Sequence, residues 1–473
     1  MGAICQIFGR PCYRLKRTGM TPHAPVTLPE FSLRDRVQSF LASGLLAAAL
    51  PFLAIYYLVS RGRSQSSRRY LRERLGNLPS NLCQAAPGAI WVHAVSVGEA
   101  LAIGPLLPKL RQRFLGRRIL VSTTTVTGQA LAAQQLDCDG AFYFPLDFAF
   151  ACRRALRAIQ PALVVIAETE FWPRFLREAR LAGARVVVVN GRISDRSFGR
   201  YHFWRNSMRP ILAHVDRFLM QSQEDARRVR AIGAPAERVF VTGNLKYDLA
   251  LPTPSPVVTW LEGELARRPR RPVLVAGSVT AGEESLVLIA FGIVQGQWPQ
   301  ALLVLAPRKP ERFDTAARLI EESHRKVVRR SGLRLEGASG AALDEAASVL
   351  LLDSVGELPG VYRLADAVFV GGSLVPAGGH NILEPAAFGK PPLFGPSMEN
   401  FRETTAMFLK AGAGIQVNSP EDLGVAWIEL IQDGVRREQM GRAARELVER
   451  NRGAAERTLE HVAAVLDATG SDP

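Results

Sequence analysis

The run ALVVIAE at 162–168 and the run ARVVVVN at 184–190 decide the fold of this chain. Both are seven residues long, are rich in aliphatic and β-branched residues, and end in a polar residue. Uninterrupted apolar runs of this length are typical of parallel strands that are buried on both faces. A helix-like stretch follows each run, so the two runs predict consecutive βα units.

The same pattern continues along the chain in both directions. In the first half it predicts further strands at AIWVHAV (89–95), RILVST (118–123), RFLMQS (217–222) and RVFVTG (238–243). It restarts after the Pro-rich stretch 251–258, with RPVLVAGS (271–278), ALLVLAPR (301–308), VLLLD (349–353), AVFVGGS (367–373) and PPLFGP (391–396). We therefore predict an α/β chain with two Rossmann-like parallel-sheet domains. The predicted boundaries are 63–250 for the N-terminal domain, 251–270 for a linker, 271–440 for the C-terminal domain and 441–473 for C-terminal helices.

The first 62 residues have a different character. Residues 1–36 are basic and Pro-containing and predict a mobile arm, whereas residues 37–62 contain the charge-free stretch 39–60. As a helix that stretch would be about 33 Å long, enough to cross or deeply enter a bilayer. A dense Arg run follows it, and this bias predicts that the downstream domains lie on the cytoplasmic side, next to anionic lipid. The alternative is a buried core helix.

Composition narrows the class of protein. The 473 residues carry 59 Lys+Arg and 44 Asp+Glu, a net charge of +15, and 47% of them are hydrophobic, which excludes a disordered chain. The positive charge favours anionic partners such as nucleic acid, phospholipid or phosphorylated substrates, although an Arg-rich solvated face would give the same count. The five cysteines form no CxxC pair, so a disulfide framework or structural zinc site is not expected.

Several common catalytic motifs are absent. The sequence has no GxxxxGK[ST], GxSxG or HExxH, and no GxGxxG follows the first strand, which disfavours P-loop NTPases, α/β-hydrolases, zincins and dinucleotide oxidoreductases. The one DxD triplet, Asp137 to Asp139, precedes a strand, so a turn is favoured over a metal site.

Candidate catalytic groups follow the strands of the first half. Glu99 lies in the first turn of the helix after strand 89–95, where the helix dipole suits either a base or an ordinary helix-start residue. Glu168 and Glu170 directly follow a buried strand, and one of them is expected to pair with Arg192. Lys246 closes the first domain and could face a phosphate across the cleft, or be a surface lysine.

Candidate anion-binding groups follow the strands of the second half. Arg308 ends one strand and could grip a phosphate or carboxylate. Glycines at 371–372 and 378–379 could leave backbone N–H groups bare for an anion. Asn381 with Glu384 also matches a capping box, and His380 is expected to pack rather than to act as a ligand.

Taken together, the motifs resemble those of 3-deoxy-D-manno-octulosonic acid (Kdo) transferases of lipopolysaccharide biosynthesis. The matching segments are WVHAVSVGEA (91–100), AETEFWP (167–173), NGRISDRS (190–197), TGNLKYD (242–248), APRKPERF (306–313) and FVGGSLVPAGGHNILEPAA (369–387). The resemblance implies a GT-B glycosyltransferase behind a membrane-anchoring helix at the bacterial inner membrane. It implies a CMP-Kdo donor, a lipid A precursor (lipid IVA) as acceptor, inversion at the anomeric carbon, and neither a metal, a cofactor nor nucleic acid.

The resemblance also implies roles for individual residues. Glu99 matches the catalytic base, and Glu168 and Lys246 match positions that stabilise the transition state. The positions that match the CMP site are Pro307, Arg308, Val355, Gly356, Glu357, Asn381, Ile382, Leu383 and Glu384.

Two departures from the family pattern leave alternatives open. Lys309 stands where His is usual, and Val279-Thr280 stands where Thr-His is usual. A GT-B enzyme of envelope synthesis with another nucleotide-sugar donor is therefore an alternative. A further alternative, based on the positive charge and the predicted anchor, is a non-enzymatic module that binds anionic lipid or nucleic acid.

Overall fold

The computed structural model describes residues 65–83, 87–248, 255–267, 272–333, 335 and 347–468. The predicted arm (1–36) and the predicted anchor (37–62) lie outside these residues. Within the described ranges, no helix is both long and apolar enough to cross a bilayer.

The first half of the chain forms a seven-stranded sheet in the order β3-β2-β1-β4-β5-β6-β7. Its strands are β1 Ala89–His93, β2 Ile119–Thr123, β3 Gly140–Tyr143, β4 Pro161–Ala167, β5 Arg185–Gly191, β6 Arg217–Met220 and β7 Val239–Val241. All neighbouring strands are parallel. The strand order reverses at β1, which lies between β2 and β4, so the carboxyl ends of β1 and β4 flank a crevice of the kind where parallel sheets bind ligands.

The second half forms another parallel seven-stranded sheet, in the order β10-β11-β9-β8-β12-β13-β14. Its strands are β8 Val273–Val279, β9 Leu302–Pro307, β10 Lys326–Arg329, β11 Ala347–Leu351, β12 Ala367–Val370, β13 Pro392–Phe394 and β14 Ile415–Gln416. Here the order reverses at β8, between β9 and β12. The α/β class and the two sheets predicted from the sequence are confirmed.

Helices cover both faces of each sheet. On the first half they are α1 Gln65–Arg74, α2 Ser80–Cys83, α3 Val97–Ile103, α4 Leu106–Arg113, α5 Val126–Gln135, α6 Ala149–Ile159, α7 Pro173–Leu181, α8 Asp195–Phe203, α9 Arg205–Leu212 and α10 Gln223–Ala231. They are followed by α11 Pro256–Arg267, α12 Glu283–Gln295, α13 Phe313–Glu322, α14 Leu358–Val361, α15 Leu383–Ala387, α16 Arg402–Lys410, α17 Pro420–Gln432, α18 Gly434–Asn451 and α19 Ala454–Asp467. Within the predicted linker 251–270, α11 buries Val257, Val258 and Leu261 in the core of the second half.

The last helix, α19, returns to the first sheet. Its residues Leu459, Val462 and Leu466 pack in the core on one face of that sheet. The Asp248 carboxylate fixes its start by accepting hydrogen bonds from the Gly453 N–H at 2.6 Å and the Ala455 N–H at 2.5 Å. The end of the chain is therefore tied to the loop that follows β7.

Candidate active site

Two candidate carboxylates lie at the crevice of the first sheet. Glu99 lies in the first turn of α3, which follows β1, and Glu168 directly follows β4. Glu168 has a left-handed backbone (φ 55°), as does Asn190 at the end of β5 (φ 53°). Non-glycine residues adopt this conformation at a cost of about 1 kcal/mol or more, and such strain is concentrated at functional sites.

The Glu99 carboxylate is held in one orientation by its own helix start. It accepts hydrogen bonds from the Val95 N–H at 2.7 Å and the Ser96 hydroxyl at 3.0 Å, while Ser96 caps α3. The interpretation of Glu99 as a helix-start residue therefore holds, and it does not exclude chemistry. Burial raises the pKa of Glu99 to about 7. The negative charges of Glu168 and Glu170 also raise this pKa, whereas the hydrogen bonds from Val95 and Ser96 lower it. A carboxylate that titrates near neutrality is suited to removing a proton.

Glu168 and Lys246 form a second part of the same group. Burial raises the pKa of Glu168, and the positive charges of Lys246 and Arg192 oppose this rise. Burial also lowers the pKa of Lys246, with the Glu168 and Glu99 charges opposing that change. The structure therefore brings together the three residues predicted to be catalytic, close enough that their charges affect one another.

A buried amide network positions Lys246. Asn190 accepts a hydrogen bond from the Leu245 N–H through Oδ1 at 3.0 Å, and its carbonyl accepts one from the Gln221 side chain at 2.9 Å. Gln221 in turn accepts a bond from the Asn244 side chain at 2.9 Å, and Asn244 Oδ1 accepts one from the Lys246 N–H at 3.0 Å. The ends of β5 and β6 thus set the position of the Lys246 backbone.

The second half of the chain reaches this group through residues 401–403. The Lys246 ammonium lies 5.1 Å from the centre of the Phe401 ring. Arg192 forms an ion pair with Glu403 at 3.0 Å, so the prediction that it pairs with Glu168 or Glu170 is wrong. Glu403 reaches Arg192 from a helix more than two hundred residues away, which no local pattern predicts.

Arg308 follows the buried Pro307 at the end of β9. Its N–H donates to the Val279 carbonyl at 2.8 Å, which ties its backbone to β8. Its side chain is exposed, and among the described residues its guanidinium has no ion pair or hydrogen bond. Burial raises the pKa of Glu384 and lowers that of His380, and the Arg308 charge acts on both in the lowering direction, so these groups face one another.

The segment Asn381–Glu384 is a compact turn before α15. Asn381 Oδ1 accepts a bond from the Leu383 N–H at 3.1 Å, and its amide donates to Glu384 at 3.2 Å. Ile382 and Leu383 are fully buried in the core of the second half. Burial raises the pKa of Glu384 to about 7. The predicted capping box is not formed, because Ile382 is the N-cap of α15 without a side-chain cap hydrogen bond, and Asn381 meets Glu384 side chain to side chain. The Glu384 carboxyl group faces Arg308.

The segment Val355–Glu357 offers backbone and an apolar side chain. Val355 is 70% exposed, and Gly356 has φ 90°. The Glu357 carboxylate is already bound by Arg330, at 2.8 and 3.0 Å, and by the Ser354 hydroxyl. Glu357 therefore positions this turn instead of offering a free carboxylate.

The glycines at 371–372 do not leave bare amides, contrary to the prediction. The fully buried Glu283 carboxylate accepts hydrogen bonds from the N–H groups of Gly372 (2.5 Å), Ser373 (2.8 Å) and Leu374 (2.8 Å). It also accepts the N–H and the hydroxyl of Thr280, at 3.0 and 2.9 Å. The anion that binds the backbone N–H groups of this turn is therefore the Glu283 carboxylate of the protein itself.

Comparison with known proteins identifies the family. Residues 69–249 match the family model described as 3-deoxy-D-manno-octulosonic-acid transferase (kdotransferase). The chain is 33% identical to the 3-deoxy-D-manno-octulosonic acid transferase of Haemophilus influenzae over 424 residues, which cover 89% of this chain and 97% of that protein. The chain belongs to the Kdo transferase family. It is therefore a glycosyltransferase that transfers Kdo in lipopolysaccharide synthesis.

A second relative supports the family, and a solved structure supports the fold. The Bordetella pertussis 3-deoxy-D-manno-octulosonic acid transferase is 35% identical over 391 residues, covering 80% of this chain and 86% of that protein. A putative UDP-N-acetylglucosamine 2-epimerase from Listeria monocytogenes has a TM-score of 0.52 at 14% identity, covering 82% of this chain and 98% of that one. The second likeness concerns the fold alone, and it supports a GT-B-like architecture for this Kdo transferase.

In this Kdo transferase, an arginine side chain binds both carboxylates of the DxD triplet. Arg111 binds Asp137 at 2.8 Å and Asp139 at 3.1 Å. The predicted turn is therefore held by an ion pair. Among the described residues, no group of three or more His, Cys, Asp or Glu residues is arranged to hold a metal ion.

Sequence reasoning missed three contributors to the site of this Kdo transferase. Asn190 ends a predicted strand and opens the matching segment 190–197, but no role was predicted for it. Phe401 and Glu403 lie far along the chain in a segment without a distinctive pattern, so nothing local pointed to them.

His380 packs as expected: a Cβ placed on Gly372 would lie 2.8 Å from its ring, and burial lowers the pKa of His380 to about 4.

Proposed function

We propose that this Kdo transferase transfers Kdo from CMP-Kdo to a hydroxyl group of a lipid A precursor, lipid IVA, with inversion at the anomeric carbon and with Glu99 as the general base. The observation that carries the proposal is the group formed by Glu99, Glu168 and Lys246, in which a half-buried, oriented carboxylate has a pKa of about 7. The group lies at the switch point of the first sheet, and its lysine contacts Phe401 of the second half.

The proposed step is a single displacement. The Glu99 carboxylate accepts the proton of the acceptor hydroxyl while the acceptor oxygen forms a bond to the anomeric carbon of Kdo. The bond from that carbon to the CMP phosphate oxygen breaks, and its electron pair leaves with CMP. Attack from the face opposite the phosphate gives inversion. The two bonds from Val95 and Ser96 keep the carboxylate oriented, which lowers the entropic part of the barrier.

Charge around the reacting carbon is balanced by fixed groups. Positive charge develops on the sugar as the phosphate leaves, and the Glu168 carboxylate can stabilise it. The positive charge of Lys246 opposes the rise in the pKa of Glu168 that burial causes. On the donor side, the unpaired guanidinium of Arg308 can bind the phosphate in two places, as planar Arg–phosphate contacts do.

The remaining donor contacts come from turns of the second half. Pro307 ends β9 beside Arg308, and the exposed Val355–Glu357 turn and the Asn381–Glu384 segment complete the proposed nucleotide site. Glu357 is held by Arg330 and Glu384 by Asn381, so both turns are rigid before the donor binds. Rigid donor turns reduce the ordering cost of binding.

The proposal places the enzyme at the bacterial inner membrane, with its catalytic domains on the cytoplasmic side. Its support is the charge-free stretch 39–60 and the Arg-rich run after it, because Lys/Arg-rich flanks remain cytoplasmic. A lipid acceptor and an anionic membrane surface are then the partners.

The test is release of CMP from CMP-Kdo in the presence of lipid IVA. We expect Glu99→Gln to lower the rate by about 10²–10⁴-fold, the usual contribution of a general base, and EDTA to leave the wild-type rate unchanged. The matched control is Asp422→Asn. Asp422 has the same local geometry at the start of α17, where it accepts the Asn418 N–H at 3.1 Å beside the capping Ser419, but it is not part of the Glu99 group.

Three outcomes would contradict the proposal. Wild-type turnover by Glu99→Gln would remove Glu99 from the base role. Protection of the folded protein against heat by UDP but not by CMP would favour the other donor class that Lys309 and Val279-Thr280 leave open. A loss shared equally by Glu99→Gln and Asp422→Asn would show that a lost helix cap, not lost chemistry, explains the effect.

A further inference from the structure

The junction between α8 and α9 exposes two adjacent aromatic side chains. Phe203 is 79% exposed and Trp204 is 55% exposed. Their rings touch edge to face, with centroids 5.3 Å apart. Two large aromatic side chains that lie together in solvent lose the hydrophobic stabilisation that a core or a partner would give them. The pair therefore points to a partner with an apolar layer.

Cations surround this pair. Arg200, Arg205 and Arg209 are exposed on the same two helices. Among the described residues none of the three has an ion pair, whereas the nearby Arg227 and Arg228 are paired with Glu224. These three arginines are therefore left for an external anion.

A cavity of about 690 Å³ begins at Arg205, the residue that follows the pair in the chain. It lies between the start of α9 and the end of α10, and Arg205, Arg209 and Arg230 line it together with a single acidic residue, Glu237. Three cations against one anion give the cavity a positive field that favours phosphate groups. We call Phe203, Trp204, Arg200, Arg205 and Arg209 the aromatic–arginine patch.

We propose that the aromatic–arginine patch docks the protein on an anionic phospholipid bilayer, with Phe203 and Trp204 at the boundary of headgroups and acyl chains and the arginines on lipid phosphates. Trp and other aromatic residues favour this boundary, because one part of it is apolar and the other is wet. Each Arg near an anionic surface adds attraction. The inference rests on the proposed function only in that a lipid acceptor brings the enzyme to a bilayer.

A bilayer fits the patch better than nucleic acid does. Single-stranded nucleic acid binds where aromatic faces are open for base stacking inside a basic groove. Here the edge of one ring meets the face of the other, and the pair does not line the cavity. Nucleic-acid binding is therefore the competing interpretation, and the test includes a measurement that would detect it.

The test uses the full chain and vesicles made of equal parts phosphatidylethanolamine and phosphatidylglycerol, with bromine on the acyl chains as a quencher of tryptophan fluorescence. We expect quenching in the wild-type protein that is lost in Trp204→Phe, because Trp204 reaches the acyl boundary. This readout remains valid even where another segment also holds the protein on the vesicle.

Charge and apolar contact are separated by further variants. Arg205→Gln with Arg209→Gln should reduce the Trp204 quenching and weaken the association by about 20-fold, since each Arg contributes roughly fivefold near an anionic surface. Phe203→Ser should also weaken it, whereas Leu115→Ser, which removes an 84% exposed leucine elsewhere, should not. High salt should weaken the wild-type signal toward that of the double Arg variant.

Three results would overturn the proposal. They are equal quenching in wild type and Trp204→Phe, equal quenching on phosphatidylcholine vesicles without anionic lipid, or patch-dependent binding of single-stranded DNA with no vesicle signal. The patch variants should keep wild-type CMP release with lipid IVA in detergent micelles. Failure of Glu99→Gln to lose activity would therefore count against the proposed function alone, and loss of quenching against the patch alone.

Discussion

The buried Glu283 carboxylate is the feature whose removal should cost the fold most. It lies at the start of α12 and accepts five hydrogen bonds, from the N–H groups of Gly372, Ser373, Leu374 and Thr280 and from the Thr280 hydroxyl. These contacts join the ends of β8 and β12 at the switch point of the second sheet. We expect Glu283→Ala to leave these donors without their partner inside the protein.

The magnitude follows from the number of donors. A buried donor without a partner costs about 1–3 kcal/mol, so five donors at the lower limit give about 5 kcal/mol. Water that enters the space left by the side chain would recover part of this. We therefore expect Glu283→Ala to lower the free energy of unfolding by about 4 kcal/mol. Glu283→Gln should cost about 2–3 kcal/mol, because one oxygen remains while the new NH₂ group faces N–H donors.

The assay is urea unfolding followed by near-UV circular dichroism, with Glu421→Ala as the control. Glu421 is an exposed acidic residue in the first turn of α17, so its removal tests only the helix-dipole contribution, about 0.3–1 kcal/mol. If Glu283→Ala stays within about 1 kcal/mol of that control, the turn at 371–374 does not depend on the carboxylate and the structural account of the glycine-rich segment is wrong.

Four further predictions concern the site and its support. The kcat/KM for CMP-Kdo should fall about tenfold per pH unit below pH about 7, because Glu99 must be ionised and burial raises its pKa to about 7; a rate that stays flat down to pH 5 would contradict this. In the same range, stability should fall as pH rises, because the folded protein holds the Glu99 and Glu384 protons more tightly than the unfolded chain, which urea midpoints at a series of pH values would measure. Arg308→Lys should raise the KM for CMP-Kdo by about tenfold or more, since a point charge cannot bind phosphate in two places, and an unchanged KM would place the phosphate elsewhere. Asp248→Ala should destabilise the start of α19 by about 1–2 kcal/mol, seen as faster hydrogen exchange across 454–467, and unchanged exchange there would show that packing alone holds this helix.

The sheets were predictable because their strands are buried on both faces. Each of the eleven apolar runs contains a strand, and β3 follows the DxD triplet, where a strand was indicated. The strands β10 (KVVR) and β14 (IQ) lay outside the predicted runs, because one is flanked by charges and the other has only two residues. The return of α19 to the first sheet was not foreseen either, since an amphipathic helix does not tell which core it covers.

The site was predictable where chemistry lies beside a strand end. Glu99, Glu168 and Arg308 follow strands that flank or adjoin a switch point, so topology alone brings them to a crevice. Partners that depend on the distant chain were not predictable. Arg192 pairs with Glu403, and the amides of 372–374 bind Glu283, about ninety residues away. The local sequence shows which buried polar groups need a hydrogen-bond or ion-pair partner. Which residue becomes that partner depends on the three-dimensional packing.

The most direct test of the central claim is mass spectrometry of lipid IVA after incubation with CMP-Kdo and the protein. The account predicts that wild type and Asp422→Asn add the mass of Kdo to the lipid at equal rates, and that Glu99→Gln, although folded, adds almost none. Full conversion of the lipid by Glu99→Gln, or no Kdo added by the wild-type protein, would contradict it.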